Sequence, residues 1–223
     1  MQKKLEALER NFFPPDWITL LLLLVFILLV VIKWAFPGKF HDFSRLLFHD
    51  KYLLMKGRET TIFDSFNRLL FLVSLISVSI FIFIVYRTLS NEDISRPIVI
   101  FIRIATAYGA FVLLKYFIEK IISNILSIES EMNNFLFTKL SYRNFLALLL
   151  LPVSLYFLYV QPPGLTLILI IFGLFLLLQL IIVIDILKKN QQFIIGNLFY
   201  FILYLCALEI GPYYILYKLF TKG

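Results

Sequence analysis

Hydrophobic positions in this chain come in long unbroken blocks, without the three-and-four spacing of a water-soluble helix. Residues near 17–34, 69–86, 97–117, 145–160, 165–187 and 193–216 are dominated by Leu, Ile, Val and Phe. A helix needs about 20 apolar residues to cross the hydrocarbon core, with a range of about 17 to 25. Inside lipid only helices and closed barrels satisfy every backbone group, and continuous blocks without alternation select helices. The pattern therefore predicts an all-α, polytopic transmembrane helix bundle of about six spans, a single transmembrane domain over residues 1–223. The fourth block is short and carries Pro152. Its link to the fifth, Gln161-Pro162-Pro163-Gly164, is short enough to force an antiparallel hairpin, the firmest contact expected from the pattern.

Two connections carry helical periodicity of their own. In residues 36–52, Phe36, Phe40, Phe43 and Leu47 form an apolar stripe, with Asp42, Arg45, His49 and Lys51 largely off it. This predicts an amphipathic interfacial helix in which Phe40, Phe43, Arg45 and Lys51 meet lipid or a partner. In the third connection, Ile118, Ile121, Ile122, Ile125, Ile128, Met132 and Phe135 oppose Glu119, Lys120, Ser123, Asn124, Ser127 and Glu131. The third span is expected to continue out of the bilayer or to bend along its surface.

Composition agrees with a membrane class. With 61% apolar residues and only 16% charged, the chain has too little polar surface to cover a soluble globule. A net charge of +7 would suggest nucleic acid in a soluble protein. Here the basic residues sit in short segments beside the spans, so their expected partners are membrane lipids and not nucleic acid. On the side holding both termini are seven: Lys3, Lys4, Arg10, Arg87, Arg96, Lys218 and Lys222. The other side holds thirteen, among them Lys39, Arg45, Lys51, Lys115, Lys139 and Arg143, and Arg103 lies within the third span. The bias predicts cytoplasmic amphipathic connections and periplasmic termini. The first apolar run is long enough to span and is followed by no small-residue cleavage site, so no cleavable signal is expected.

Few polar residues interrupt the spans. Glu209 lies in the apolar run of residues 203–217, two positions before Gly211-Pro212. A charge at membrane depth costs roughly 2.5 to 3.5 kcal/mol, so it faces a partner, a cavity or an opposite charge. Gly211-Pro212 removes a helical hydrogen bond and can open a polar locus beside the carboxylate. Glu209 is then either a structural acceptor pinning the last helix to Arg103 or to a tyrosine hydroxyl, or a protonatable coupling site. Arg103 can also snorkel to the interface. Gln179 and Asn197 suit interhelical hydrogen bonding. The repeated Phe-His-Asp at Phe40-His41-Asp42 and Phe48-His49-Asp50 would separate its imidazoles by about 12 Å on a helix, too far to share one ion. Cys206 stands alone, and no metal or other cofactor is expected. Phosphate-loop, zinc-protease and nucleophile-elbow motifs are missing from the sequence, and no polar stretch is long enough for a soluble catalytic domain, so no enzyme is expected.

Three stretches taken together resemble a known family. They are Asp16-Trp17-Ile18-Thr19; residues 39–43 with Asp50-Lys51-Tyr52 and Phe63-Asp64-Ser65-Phe66-Asn67; and residues 205–212, ending Leu208-Glu209-Ile210-Gly211-Pro212. Over essentially the whole chain this resembles the Bacteroidota integral membrane proteins grouped as domain of unknown function 4271, most specifically in the final element. The resemblance implies an inner membrane of a Gram-negative cell and carries no catalytic residues or substrate. The expected role is a non-enzymatic scaffold or subunit of an envelope process such as secretion, assembly or lipid handling, with a protein partner or a second copy in the membrane. The alternative is a small proton-coupled transporter or channel subunit in which Glu209 titrates.

Overall fold

The computed structural model describes residues 16–44, 64–90, 96–125, 129–160 and 163–189. Regular structure among the described residues is helical: α1 (Asp16–Ala35), α2 (Pro37–Ser44), α3 (Ser65–Leu89), α4 (Pro97–Ile125), α5 (Glu129–Tyr159) and α6 (Leu165–Lys189). Five of these, all but α2, are long and apolar enough to cross a membrane. The chain is a multi-pass helical membrane protein. The sixth expected span, near 193–216, lies outside the described residues.

Local chemistry sets several boundaries. Pro37 and Pro97 each open a helix, where the missing N–H is harmless because first-turn amides lack an intrahelical acceptor. Pro37 also stops α1, since a residue before proline is pushed out of the α region. Phe36 is accordingly the single non-helical residue between α1 and α2. Pro152 lies inside α5 on an exposed face, and the helix runs through it. The 29 residues of α4 and 31 of α5 make each about 45 Å long against a hydrocarbon core of about 30 Å. The stripe that begins at Ile118 therefore extends α4 beyond the bilayer, and its later residues begin α5.

Lipid on the outside changes what belongs inside. Half of the apolar windows of α3 and α5 is buried (50% each), against 22%, 17% and 12% for α1, α4 and α6, so the first two form the centre. Since lipid is as apolar as leucine, association relies on close packing through small residues and interhelical hydrogen bonds. Ser74, Ser77, Ser79, Ser141 and Ser154 are buried accordingly, while Leu20, Ile27, Leu169 and Leu174 point outward. The Ser77 hydroxyl donates to the Ala147 carbonyl at 2.7 Å, joining α3 to α5. That pair has the most extensive packing in the bundle, and α3 also packs on α1 and α4. The α5–α6 hairpin forms as its short link requires, with a smaller interface. At the end opposite α2, Trp17 packs on Phe83 and Phe101 with ring centroids 5.4 and 5.2 Å apart. There the hydroxyls of Thr19 and Tyr159 share a 2.8 Å hydrogen bond between α1 and α5.

Within the stripe expected to meet lipid or a partner, Phe43 is turned into the bundle, and Leu47 lies outside the described residues. Phe43 is 1% exposed and is enclosed by protein. Its ring meets Phe66 at 6.1 Å and Phe145 at 5.9 Å, while Phe36 meets Phe66 at 5.9 Å. Phe40 is half-buried against the same core. The physical reason is proximity: α2 folds back directly after α1, so its apolar face reaches the ends of α3 and α5 before it reaches lipid. Lys39 fastens it further by an ion pair with Asp64. Asp64 sits at the N-cap of α3 yet makes no side-chain capping bond, its carboxylate being turned to Lys39.

Candidate functional site

At the α2 end of the bundle, α3, α4, α5 and α6 surround a cavity of about 320 Å³, within the range of about 300 to 1,000 Å³ usual for small-molecule sites. Three of the helices line it over twelve-residue stretches: Asn67 to Val78 on α3, Tyr108 to Glu119 on α4, Leu136 to Ala147 on α5. At 1.5 Å per residue the cavity runs about 16 Å along the bundle.

Its charged residues lie toward one end, where Leu136, Leu140 and Ile182 also line it. Near the α2 end are Arg68, Lys115, Glu119, Lys139 and Arg143, with Asn67 and Gln179. Toward mid-membrane the walls become Val78, Phe111, Leu146, Ala147 and Phe175. Tyr108, Tyr116 and Tyr142 also belong to the lining. Charge therefore gathers toward the α2 end of the cavity.

Four cationic side chains face a single carboxylate in this lining. Glu119, whose side chain is 5% exposed, accepts a hydrogen bond from Lys139 Nζ at 2.8 Å. Arg68, at the rim, donates from Nη2 to Ser65 Oγ at 3.1 Å. Arg143 lies over Phe71, its guanidinium carbon 5.6 Å from the ring centroid, within cation–π range. Its Nε and Nη2 are buried, and among the described residues no acceptor reaches either. A buried donor left without a partner is costly, so an acceptor entering the cavity would find two unused donors on this edge.

The residues singled out from sequence lie elsewhere. Arg103 is exposed on α4, six positions after Pro97 and toward the end opposite the cavity's charged mouth. Glu209, Gly211, Pro212, Arg45 and Lys51 fall outside the described residues, so the pairing of Glu209 with Arg103 does too. Phe40 and Phe43 hold α2 to the bundle and do not line the cavity. Gln179 does line it.

A signal for the cavity was present in the sequence. Lys115 and Glu119 are four apart, as are Lys139 and Arg143, and each pair shares one helix face. The two pairs are mirror images about residue 129, where an antiparallel hairpin of α4 and α5 brings Glu119 level with Lys139 and Lys115 level with Arg143. Counting these residues only as loop charges concealed that arrangement.

Comparison with known families places the chain. A family model described as domain of unknown function, DUF4271, matches residues 18–220. The chain belongs to that family. For the DUF4271 chain no curated protein and no solved structure gives a match. The match takes in the six helices described here except the first two residues of α1, and includes every residue that lines the cavity.

Proposed function

We propose that this DUF4271 protein is a non-enzymatic component of lipid handling in a bacterial inner membrane, holding an amphiphilic lipid within its helix bundle. One observation carries the reading: the cavity's charged residues gather toward its α2 end, matching the polarity of a lipid with its headgroup at the interface and its chain toward the bilayer centre. The orientation argument supports the same arrangement. The charged mouth lies on the α2 side, to which the six-span sequence topology assigns thirteen of the 21 basic residues, and the positive-inside rule would put such a side in the cytoplasm. The termini are then periplasmic and the ligand belongs to the cytoplasmic leaflet. The lining offers cations, hydroxyls and hydrocarbon, a set suited to holding and orienting a molecule.

Native mass spectrometry of the full-length protein in a mild detergent tests this reading. The expected spectrum shows a lipid-mass adduct that survives gentle activation and that is lost in Val78→Trp, which fills the apolar end of the cavity. A spectrum without adducts, or adducts equally abundant in the folded Val78→Trp protein, contradicts it.

A further inference from the structure

We propose that α2 is a strap governed by bilayer charge: an anionic lipid headgroup draws Lys39 away from Asp64, and the released Asp64 carboxylate caps the first turn of α3. The proposal concerns the α2 end of the bundle and does not depend on what the cavity holds.

Lys39 is placed where a headgroup can reach it. The 20 residues of α1 extend about 30 Å, the thickness of the hydrocarbon core, so Ala35 lies at its edge. The exposed ring of Trp34 beside it suits the interface. Lys39 follows four positions after Ala35, on a helix of eight residues that packs on α1 and α5. Its Nζ stands 5.5 Å from the centroid of the Phe36 ring and against the Asp64 carboxylate, with 27% of the side chain still exposed. A compact ammonium on a flexible stem can turn from one anion to another while the backbone stays in place.

Asp64 has two places to go. Its backbone, at φ −56° and ψ 145°, has the extended conformation of a residue at a helix N-cap. Its carbonyl already accepts the first bond of α3, from the Arg68 N–H at 3.0 Å. An aspartate in this position normally also accepts, through its side chain, from the amide of the second or third helical residue, here Phe66 or Asn67. It makes no such bond, because the carboxylate is turned to Lys39. Arg68, one turn on, is directed to Ser65 Oγ at 3.1 Å.

The ion pair and the cap therefore compete for one carboxylate. At a partly exposed position the two are of similar strength, so a modest pull on Lys39 decides between them. A basic residue close to an anionic surface gains roughly fivefold in affinity for it. What α2 loses, the first turn of α3 gains. Phe43, between Phe66 and Phe145, is then the main remaining hold on α2.

The test compares the full-length protein in nanodiscs of phosphatidylcholine alone and of equal parts phosphatidylcholine and phosphatidylglycerol, at one ionic strength, by residue-resolved hydrogen exchange. The expected signature is reciprocal. In the anionic discs the Phe40 amide, bonded to the Phe36 carbonyl at 2.9 Å, should exchange about fivefold faster, while the Phe66 and Asn67 amides slow by a similar factor. Lys39→Gln in phosphatidylcholine should already show the anionic pattern and respond no further to phosphatidylglycerol. Asp64→Asn can cap but carries no charge to pair, and should do the same. Asp64→Ala can do neither and should speed exchange at both places.

Equal Phe40 exchange in the two compositions overturns the proposal. So does faster exchange at both places in the parent, which is general loosening without competition, or an undiminished response in Lys39→Gln. Inorganic phosphate, replacing chloride at constant ionic strength over phosphatidylcholine discs, should leave the exchange unchanged; the same reciprocal shift there overturns the lipid as the source of the anion.

Discussion

Replacing Phe43 by alanine should release α2 from the bundle without unfolding the spans. Phe43 is 1% exposed and its ring meets Phe66 and Phe145 edge-on at 6.1 and 5.9 Å. Removing a buried phenyl ring costs about 3 to 5 kcal/mol in protein cores. Each aromatic pair accounts for about 0.5 to 1.5 kcal/mol of that beyond simple burial. The lower end applies here, because α2 lies at the edge of the bundle where neighbours can partly close the gap. Little else would retain the helix. It has eight residues, too few to persist in isolation. Beside the half-buried Phe40, the ion pair of Lys39 with Asp64 joins side chains 27% and 26% exposed, a setting in which ion pairs contribute about 0 to 1 kcal/mol. A loss of about 3 kcal/mol corresponds to exchange of the α2 amides, including that of Phe40, up to roughly a hundredfold faster. Hydrogen exchange followed by mass spectrometry in lipid nanodiscs reads this directly. Phe43→Leu should change exchange by less than about tenfold, since volume-conserving swaps cost below about 1.5 kcal/mol. If α2 lay on lipid through Phe43, alanine and leucine would behave alike and neither would accelerate exchange. That result would refute the packing argument.

Other consequences follow from the α3 interfaces and from orientation. Ser77→Ala removes the 2.7 Å bond to Ala147 and should destabilise by about 0.6 kcal/mol, the average for such bonds in membranes, and by no more than about 1.7 kcal/mol, as read by thermal unfolding in detergent. A Cβ on Gly109 would stand 3.0 Å from Leu75 Cδ1, the movable end of a side chain. Gly109→Ala should therefore stay within about 1 kcal/mol of the parent, its contact offset by better helix propensity, whereas Gly109→Leu should lose about 1 to 3 kcal/mol by overpacking. With Cys206 replaced, cysteines at Lys56 and Ser127 should resist a membrane-impermeant thiol reagent in spheroplasts while those at Lys3 and Lys222 react. The opposite pattern would reverse the assigned orientation.

Much of the fold was legible because lipid imposes a simple rule: long apolar blocks become spans, and Pro37, Pro97 and the Gln161–Gly164 link mark where helices begin or turn. The beginning of α5 was not. Residues 138–144, Thr-Lys-Leu-Ser-Tyr-Arg-Asn, read as a polar connection by average hydropathy. Yet Ser141, Tyr142 and Asn144 are buried inside the bundle and Lys139 and Arg143 line its cavity. An average over a window cannot distinguish a polar residue facing water from one facing a polar interior. The same blindness concealed the site, whose cations come from three helices and meet only when α3, α4 and α5 pack. Phe43 illustrates the converse error: a stripe of phenylalanines is equally suited to lipid and to a protein groove, and only the position of α2 beside α3 and α5 decides between them.

The most direct measurement is a structure of the protein reconstituted with total lipid from its own host membrane, determined by single-particle electron microscopy with a bound antibody fragment for size. The account predicts elongated density in the cavity, its head within hydrogen-bonding distance of Arg143 Nε and Nη2 and its tail along Val78 and Phe175. A well-ordered map in which protein side chains or water alone fill the space between Arg143 and Val78 would contradict it.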